Sequence, residues 1–474
     1  MAGTLGVVLF ILVSLQLLSG YSLHSRTIVE NLPGFDDPLP FKLETGYVGI
    51  GQNEDIQLLY YFVESERSPK EDPLMLWIPG GPVCSTLGAF FHENGPLNFD
   101  YIKSTQEKPV LKLNPYSWTK VLNIIYLDTP VGAGFSYAKS YHASKTSDTL
   151  SSKHVYEFLR KWLNDHRRFI SNPFYMGGIS YSGIVIPLII QEIHNGNEDG
   201  NKPKINIKGF LIGNPLTDKN IDFNSRIPYA YRVALISGQL YESAKEHCSG
   251  DYMNSKNGLC SGDLRRVDEC LEFIYDNHIL EPICAPSENA ASNPLSIQTS
   301  SLSWCREDNY VYNLKWANDD DVQRALGIRQ GIVKDWVQCN GDHYEIGKSD
   351  TDTYSYNVES SLAYHRNMTR KSYRALIYSG DHDSVFPHVG TEIWIQSLNL
   401  TVESEWAPWF VDQQVAGYQT TYSHNNYSLT YATVKGAGHT ASEYKPKECL
   451  VMVDRWFTHN SLKSVNNAMV LLNT

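Results

Sequence analysis

The sequence predicts an α/β fold, in which parallel strands form a central sheet with helices on both faces. Short continuous apolar runs, rich in β-branched and aromatic residues, recur along the 474-residue chain between longer mixed segments. Such runs are typical of strands buried on both faces of a parallel sheet and joined by crossover helices. The predicted strands span residues 74–78, 124–127, 174–176, 209–212, 375–378 and 431–434.

The first residues of the chain are predicted to be a targeting signal. Val7 to Leu18 is almost wholly apolar, and small residues follow it. This run is shorter than the ~20 apolar residues of a membrane span, so a signal peptide is favoured over a membrane anchor or a buried helix. We predict a signal peptide at residues 1–22 and a mature protein in the secretory pathway, secreted or vacuolar.

The charge balance argues against two classes of partner. The chain has 40 Lys and Arg against 52 Asp and Glu, which gives a net charge of −12. It contains no basic block that could bind nucleic acid or an anionic membrane surface. No later segment approaches the length of a membrane span. We therefore expect no nucleic-acid partner and no stable membrane association.

The eight cysteines, in a chain with a predicted signal peptide, are expected to form structural disulfides. They lack the CxxC spacing of a zinc site, and we predict neither a metal nor an organic cofactor. Three Asn-x-Ser/Thr sequences are candidate N-glycosylation sites of a protein in the same compartment. They begin at Asn367, Asn399 and Asn426.

Residues 218–316 differ in composition from the rest of the chain. This segment holds five of the eight cysteines, is rich in Ser, Asn and Asp, and has short helical patterns such as residues 267–279. We interpret it as a disulfide-stapled insertion that forms a lid over the ligand crevice, with a surface loop as the alternative. The α/β core then consists of residues 23–217 and 317–474.

Ser180 is the strongest candidate nucleophile. It lies in Gly178-Ile179-Ser180-Tyr181-Ser182-Gly183, between a predicted strand and the apolar helical pattern of residues 184–193. In α/β-hydrolases the nucleophile occupies a tight strand-to-helix turn that requires small neighbours. Ser182 replaces the second glycine of the strict GxSxG pattern, but Gly183 follows it. The sequence therefore predicts an α/β-hydrolase fold with a disulfide-stapled lid.

Ser136 is a weaker candidate for the same role. Its motif, Gly134 to Ala138, resembles the nucleophile turn, but a polar segment follows it where an apolar helix is needed.

The acid and the base are predicted in two later turns. Asp381 and Asp383 follow the predicted strand 375–378, and His439 follows the strand 431–434 within a glycine-rich turn. The order Ser, acid, His is that of α/β-hydrolases, with His439 as the base and an aspartate orienting it. The residues alone leave open which of the two aspartates is the acid.

The oxyanion of a serine reaction is stabilised by backbone N–H groups. One donor is expected from Tyr181, the residue after the nucleophile, and the other from a second loop. The turn Gly80-Gly81-Pro82, directly after a predicted strand, suits the second donor.

Five ordered motifs resemble those of the serine carboxypeptidase-like family. Residues 77–85 (WIPGGPVCS) are similar to the family's WLNGGPGCSS, and residues 93–97 (ENGPL) are similar to its ENGP. Residues 127–137 (LDTPVGAGFSY), 380–383 (GDHD) and 438–439 (GH) match further family motifs. The resemblance extends from about residue 32 to residue 456.

The resemblance implies residue roles that the spacing left open. It implies Asp383 as the acid, and Gly81 and Tyr181 as the oxyanion donors. It also implies three disulfides, which are Cys84–Cys339, Cys248–Cys260 and Cys284–Cys305, and leaves Cys270 and Cys449 unpaired.

The departures from the family pattern concern substrate recognition. Carboxypeptidases of the family hold the peptide's carboxylate with an Asn and two Glu residues. Here Pro79 and Ile179 replace two of these, and only Glu93 remains. Hydrogen bonds to charged groups contribute roughly 1.5–3 kcal/mol each, so losing two weakens peptide binding by about two to four powers of ten. We predict that Pro79, Gly80, Glu93 and Ile179 contact the substrate.

A plant subset of the family, which transfers acyl groups from 1-O-β-glucose esters, also alters these positions. The segments 32–35 (LPGF) and 44–49 (ETGYVG) resemble that subset, whereas Ile179 and Val83 replace its usual Asp and Gly. We therefore predict an acyltransferase that takes an acyl-glucose donor and an acceptor hydroxyl or amine. The alternatives are a serine carboxypeptidase and a non-catalytic companion subunit.

Overall fold

The computed structural model describes residues 26–105, 107–283, 306–340 and 353–463. The predicted signal peptide at residues 1–22 and the predicted Cys284–Cys305 pair lie outside these ranges.

Each of the six predicted strands is present as a strand, which confirms the predicted α/β class. The described residues contain sixteen strands. In chain order they are Arg26–Val29 (β1), Leu43–Ile50 (β2), Ile56–Val63 (β3), Leu74–Ile78 (β4), Leu97–Phe99 (β5), Leu111–Leu113 (β6), Asn123–Leu127 (β7), Tyr137–Ala138 (β8), Thr146–Ser147 (β9), Phe174–Ile179 (β10), Ile207–Gly213 (β11), Tyr354–Ser355 (β12), Arg374–Gly380 (β13), Thr401–Val411 (β14), Gln414–His424 (β15) and Tyr427–Val434 (β16).

A 12-stranded sheet forms the core, in the order β1-β2-β3-β7-β4-β10-β11-β13-β16-β15-β14, with β8 paired to β3. Its central strands β7, β4, β10, β11, β13 and β16 are the predicted ones, and neighbours among them pair in parallel. Their carboxyl ends therefore meet at one edge, where open α/β sheets bind ligands. Antiparallel strands extend the sheet on both sides, β1 to β3 at one end and β14 with β15 at the other.

Helices cover both faces of this sheet. In the described residues the α-helices are Tyr141–Ser144 (α1), Asp148–Asp165 (α2), Ser182–Glu198 (α3), Lys219–Asn224 (α4), Arg226–Arg232 (α5), Gly238–Cys248 (α6), Gly258–Leu271 (α7), Tyr310–Ala317 (α8), Asp320–Ala325 (α9), Leu362–Met368 (α10), His388–Gln396 (α11), Ala441–Tyr444 (α12) and Pro446–Phe457 (α13).

The two faces bury separate hydrophobic clusters. Trp162 of α2 and Ile190 of α3 belong to the cluster on one face. Trp456 of α13 and Trp118 belong to the cluster on the other. Fully burying a large apolar side chain contributes about 1.5–3 kcal/mol relative to leaving it exposed, so these layers hold the sheet rigid beneath its ligand edge.

The predicted insertion carries α4 to α7 and all but the last residue of α8, and no strand among its described residues. Its helical pattern was expected at residues 267–279, but α7 ends at Leu271. The residues after Leu271 include Asp276 and Asn277, whose side chains compete for backbone hydrogen bonds and favour turns. Their carbonyl groups instead accept from Ser384 and His439. These tertiary bonds replace the continuation of the helix.

Two of the implied disulfides are present. Cys84 is bonded to Cys339, and Cys248 is bonded to Cys260 at the end of α6 and the start of α7. In the described part of the chain, the thiols Cys270 and Cys449 are free. None of the described helices is long and apolar enough to span a bilayer.

Candidate active site

Ser180 lies in the sharp turn between β10 and α3. Its φ of 59° is in the left-handed region, where a non-glycine residue is strained. A Cβ at Gly178 would lie 2.4 Å from the carbonyl oxygen of Ile78, and one at Gly183 would lie 2.4 Å from that of Leu216. The turn therefore requires glycine at 178 and 183, and Ser182 is accommodated as the first residue of α3.

The structure brings Asp383 and His439 together from the turns after β13 and β16. The Nδ1 atom of His439 lies 2.9 Å from Oδ2 of Asp383, whose side chain is fully buried. Asp381 instead pairs with His382 and accepts the N–H of Gly436, with 30% of its side chain exposed. Of the two aspartates, Asp383 is therefore the one placed to orient the candidate base.

Three further donors hold the Asp383 carboxylate in place. The Nδ2 atom of Asn214 donates to Oδ2 at 2.8 Å, and the N–H groups of Val385 and Phe386 donate at 2.8 and 3.3 Å. Hydrogen bonds of this kind stabilise the ionised carboxylate. These donors thus fix the orientation of the Asp383 carboxyl group toward His439.

Ser180 and His439 line one cavity, of about 510 Å³, at the carboxyl edge of the sheet. No hydrogen bond joins their side chains among the described residues. In enzymes without bound substrate the nucleophile–base hydrogen bond is often long, and it tightens on binding. The candidate nucleophile and the candidate base thus line the same cavity, and the candidate acid contacts the base.

The loop after β4 packs directly against the candidate nucleophile. A Cβ at Gly80 would lie 2.5 Å from Cβ of Ser180, and Gly81 adopts a φ of 119° that a side chain disfavours. Both glycines are therefore needed for this close approach. Gly81, the predicted oxyanion donor, follows Gly80 and lines the same cavity as Ser180.

Both the core and the predicted insertion line the cavity. Of the core residues, Pro79 and Ile179 are apolar, and Glu93 is the carboxyl group among the predicted substrate contacts. Phe223 and Arg226 come from α4 and α5 of the insertion. The guanidinium of Arg226 stacks on the ring of Phe223 at 4.4 Å and donates to the carbonyl of Val385.

Glu93 ends a π-helical turn over Ala89–Glu93 and is buried, with 8% of its surface exposed. Burial raises the pKa of its carboxyl group to about 8, and the charge of the nearby Glu443 adds to the rise. The indole N–H of Trp77 donates to Glu93 Oε2 at 3.2 Å. Glu93 therefore faces the cavity as a neutral acid at neutral and lower pH.

A four-residue segment of the insertion, Asp276–Ile279, is bonded to both catalytic turns, and we call it the strap. The N–H of His439 donates to the carbonyl of Asn277 at 2.7 Å, and the N–H of Ser384 donates to that of Asp276 at 3.0 Å. The N–H of Ile279 donates to the carbonyl of His382 at 3.0 Å. The insertion thus supports the acid and the base as well as lining the cavity.

The other predicted sites are placed as follows. Ser136 is buried, donates to the carbonyl of Asp128 and accepts the N–H of Leu59, so its hydroxyl ties backbone segments together. Asn367, Asn399 and Asn426 are all exposed. No group of side chains suited to a metal ion occurs among the described residues.

Comparison with known proteins identifies the family. Residues 33–459 match the family model of serine carboxypeptidases, Peptidase_S10. The chain belongs to the serine carboxypeptidase family. Similar members of this family are plant proteins. Serine carboxypeptidase-like 3 of Arabidopsis thaliana is 44% identical over 450 residues, which cover 94% of this chain and 96% of that protein. Serine carboxypeptidase-like 17 of the same plant is 45% identical over 440 residues, covering 92% and 94%.

A solved structure confirms the α/β-hydrolase fold of this serine carboxypeptidase family member. A prohormone-processing carboxypeptidase from Saccharomyces cerevisiae matches it with a TM-score of 0.72, over 91% of this chain and 96% of that chain. The two sequences are only 19% identical, so this likeness concerns the fold.

Sequence reasoning missed two features of this family member's site. Asn214 follows β11 in the segment Gly213-Asn214-Pro215, and its position after a parallel strand was a usable signal. The strap had no such signal, because its role depends on backbone carbonyl groups that every residue possesses.

Proposed function

We propose that this protein is an acyltransferase that moves an acyl group from a 1-O-β-glucose ester to an acceptor hydroxyl or amine. One observation carries the proposal. Ser180 and His439 line one cavity together with Pro79 and Ile179, which by the family resemblance replace two of the groups that hold a peptide's carboxylate. Neither side chain can hydrogen-bond a carboxylate. The candidate catalytic serine is retained, whereas two of the three groups with which carboxypeptidases of the family bind a peptide's carboxylate are replaced.

The reaction proceeds through an acyl-enzyme on Ser180. Its Oγ bonds to the acyl carbon while His439 takes the serine proton, and the N–H groups of Gly81 and Tyr181 stabilise the oxyanion. The ester bond to glucose then breaks, and glucose leaves with the proton from His439. In the second half, His439 takes a proton from the acceptor, which bonds to the acyl carbon; the bond from that carbon to Ser180 Oγ then breaks, and Ser180 receives the proton from His439.

Transfer must compete with hydrolysis by water. An acceptor held beside the acyl-enzyme reacts with a high effective concentration, whereas water is disfavoured when the site is closed. Phe223 and Arg226 line this cavity from the insertion and provide a surface on which an acceptor can bind. We therefore assign acceptor binding to the insertion side of the cavity.

A serine carboxypeptidase is the second candidate, because Glu93, the one peptide-binding group of the family that this chain keeps, is compatible with it. A neutral carboxylic acid can donate a hydrogen bond to a peptide carboxylate as well as to a sugar hydroxyl. Glu93 is therefore compatible with both substrate classes. Pro79 and Ile179 are the residues that distinguish between the two classes.

The experiment is a competition between the two activities. The purified protein is incubated with acyl-glucoses plus alcohols or amines, and separately with blocked dipeptides, and products are identified by mass spectrometry. We expect transfer from acyl-glucose to be the dominant reaction, and Ser180→Ala to abolish it. Rapid dipeptide cleavage without transfer would favour the carboxypeptidase. Biological activity that survives Ser180→Ala would favour a non-catalytic companion.

A further inference from the structure

A buried carboxylate lies behind the candidate oxyanion donor Tyr181. Asp148, the first residue of α2, is fully buried. The hydroxyl groups of Tyr181 and Tyr354 donate to its Oδ1 at 2.6 and 2.7 Å, and the N–H of Val358 donates to Oδ2 at 3.0 Å. A buried carboxylate is costly unless it accepts such bonds, so this arrangement is specific. It joins α2, the nucleophile turn and the chain around β12.

The side chain of Tyr181 is held at its tip by this carboxylate. Its ring packs edge-on against Tyr356, with centroids 5.8 Å apart, and against the apolar side chains of Ile184 and Val385. The Cβ atom of the side chain and the backbone nitrogen are both bonded to the Cα atom of Tyr181. A displacement of the ring that rotation about χ1 and χ2 does not absorb therefore moves the backbone N–H proposed to face the oxyanion.

A small cavity beside the ring of Tyr181 leaves the ring some freedom to move. A cavity of about 20 Å³ is lined by Tyr181, Tyr354 and the loop residues Pro79 and Gly80. Well-packed interiors contain few voids of this size, and side chains beside a void can move into it. The hydrogen bond to Asp148 therefore restrains a ring that packing alone does not fully enclose.

We propose that Asp148 is a positioning residue, whose carboxylate holds Tyr181 so that its N–H points to the forming oxyanion. The inference rests on the proposed roles of Ser180 and Tyr181, and it is independent of the natural acyl donor. Its test therefore uses an artificial ester, p-nitrophenyl butyrate. Ser180 Oγ bonds to the butyryl carbon, His439 takes the serine proton, and the ester bond breaks to release p-nitrophenolate.

The acylation rate per active site is measured for Asp148→Asn, Tyr181→Phe and the control Tyr354→Phe. Tyr354→Phe removes a hydroxyl from the same carboxylate without touching the nucleophile turn. Loss of a whole oxyanion donor lowers kcat by about 10²–10³-fold, and misplacement of one should cost less. We expect a roughly tenfold fall in kcat for Asp148→Asn and Tyr181→Phe, with KM within about twofold and Tyr354→Phe within about threefold.

The double variant Asp148→Asn/Tyr181→Phe separates positioning from general stability. If both residues act through one hydrogen bond, the double variant is no slower than either single variant. Acylation rates unchanged in Tyr181→Phe, or lowered equally in Tyr354→Phe, would overturn the inference and leave Asp148 a structural residue. If the wild-type protein reacts with neither p-nitrophenyl butyrate nor a fluorophosphonate, which labels activated serines, the inference is overturned as well. A protein that reacts with the ester but not with acyl-glucose would refute only the proposed donor.

Discussion

At the scale of single residues, two aspartates of one turn are separated by their surroundings. Asp383 is buried and accepts hydrogen bonds from His439, Asn214 and two backbone N–H groups. Asp381 is partly exposed and pairs with His382. The sequence could not distinguish them, because both follow the same strand and burial depends on segments distant in the chain.

We expect Asp383→Asn to lower kcat by roughly 10³–10⁴-fold, because the amide no longer holds the base in its reactive tautomer. Asp381→Asn is the matched control, with the same chemical change two residues away, and should stay within about fivefold of wild type. The measurement is kcat on p-nitrophenyl butyrate. Equal losses in the two variants would contradict the assignment of Asp383.

Restoring the family's polar groups should change the substrate preference. In Pro79→Asn/Ile179→Glu we expect kcat/KM for a blocked dipeptide to rise by roughly two powers of ten, because an amide and a protonated carboxyl group that can donate to the peptide's carboxylate return. Ser180→Ala in the same background is the control and should abolish the gain. If the double variant keeps its activity on p-nitrophenyl butyrate but gains no peptidase activity, these positions do not determine the preference.

At the scale of elements, the strands at the centre of the sheet were predictable and the strands at its margins were not. A central strand such as β13 is buried on both faces and therefore reads as a continuous apolar run. The marginal strand β14 is half exposed and carries Glu403 and Glu405 among its apolar residues. Its hairpin with β15 is stabilised by pairing with β16, which a local sequence pattern does not reveal.

The nucleophile turn was predictable for a similar reason. Its strand, its glycines and its apolar helix are contiguous in the chain, so one local pattern contains them all. Asp148 and the strap are distant from Ser180 in sequence, and only the fold brings them to the site.

The strap gives a prediction about Gly438. A Cβ at this position would lie 2.1 Å from the carbonyl oxygen of Asn277, the group that accepts from His439. Gly438→Ala must therefore displace the strap from His439, the candidate base, and we expect kcat to fall at least tenfold. Gly262→Ala on α7 of the same insertion is the control, since a Cβ there meets nothing within 4 Å and alanine favours helix. A Gly438→Ala enzyme with wild-type kcat would contradict the role of the strap.

At the scale of the whole molecule, buried acids make stability depend on pH. The pKa of Glu93 is raised to about 8 in the folded protein from an ordinary value of 4.5. Between these values the folded state binds more protons than the unfolded state, so the free energy of unfolding falls as the pH rises. The buried Asp222, with a pKa raised to about 7, acts in the same direction.

We expect the free energy of unfolding of the wild type to fall by roughly 1.5 kcal/mol more than that of Glu93→Gln between pH 6.5 and 8. Glutamine keeps the shape of the neutral acid and does not ionise, so the comparison cancels other titrating groups. These include His92 and His365, whose pKa values burial lowers to about 3. Urea unfolding at the two pH values measures the difference, and parallel pH profiles of the two proteins would refute the prediction.

The strap also limits how relatives of this protein can diverge. Asp276–Ile279 is bonded to the turns of both the acid and the base, whereas Phe223 and Arg226 of the same insertion contact the cavity from α4 and α5. Because the strap acts through its backbone, we expect changes that move its path to affect catalysis for every substrate, and side-chain changes at Phe223 and Arg226 to alter which substrate fits. We therefore expect new specificities to arise by drift in α4 and α5, with the strap's backbone path held under purifying selection.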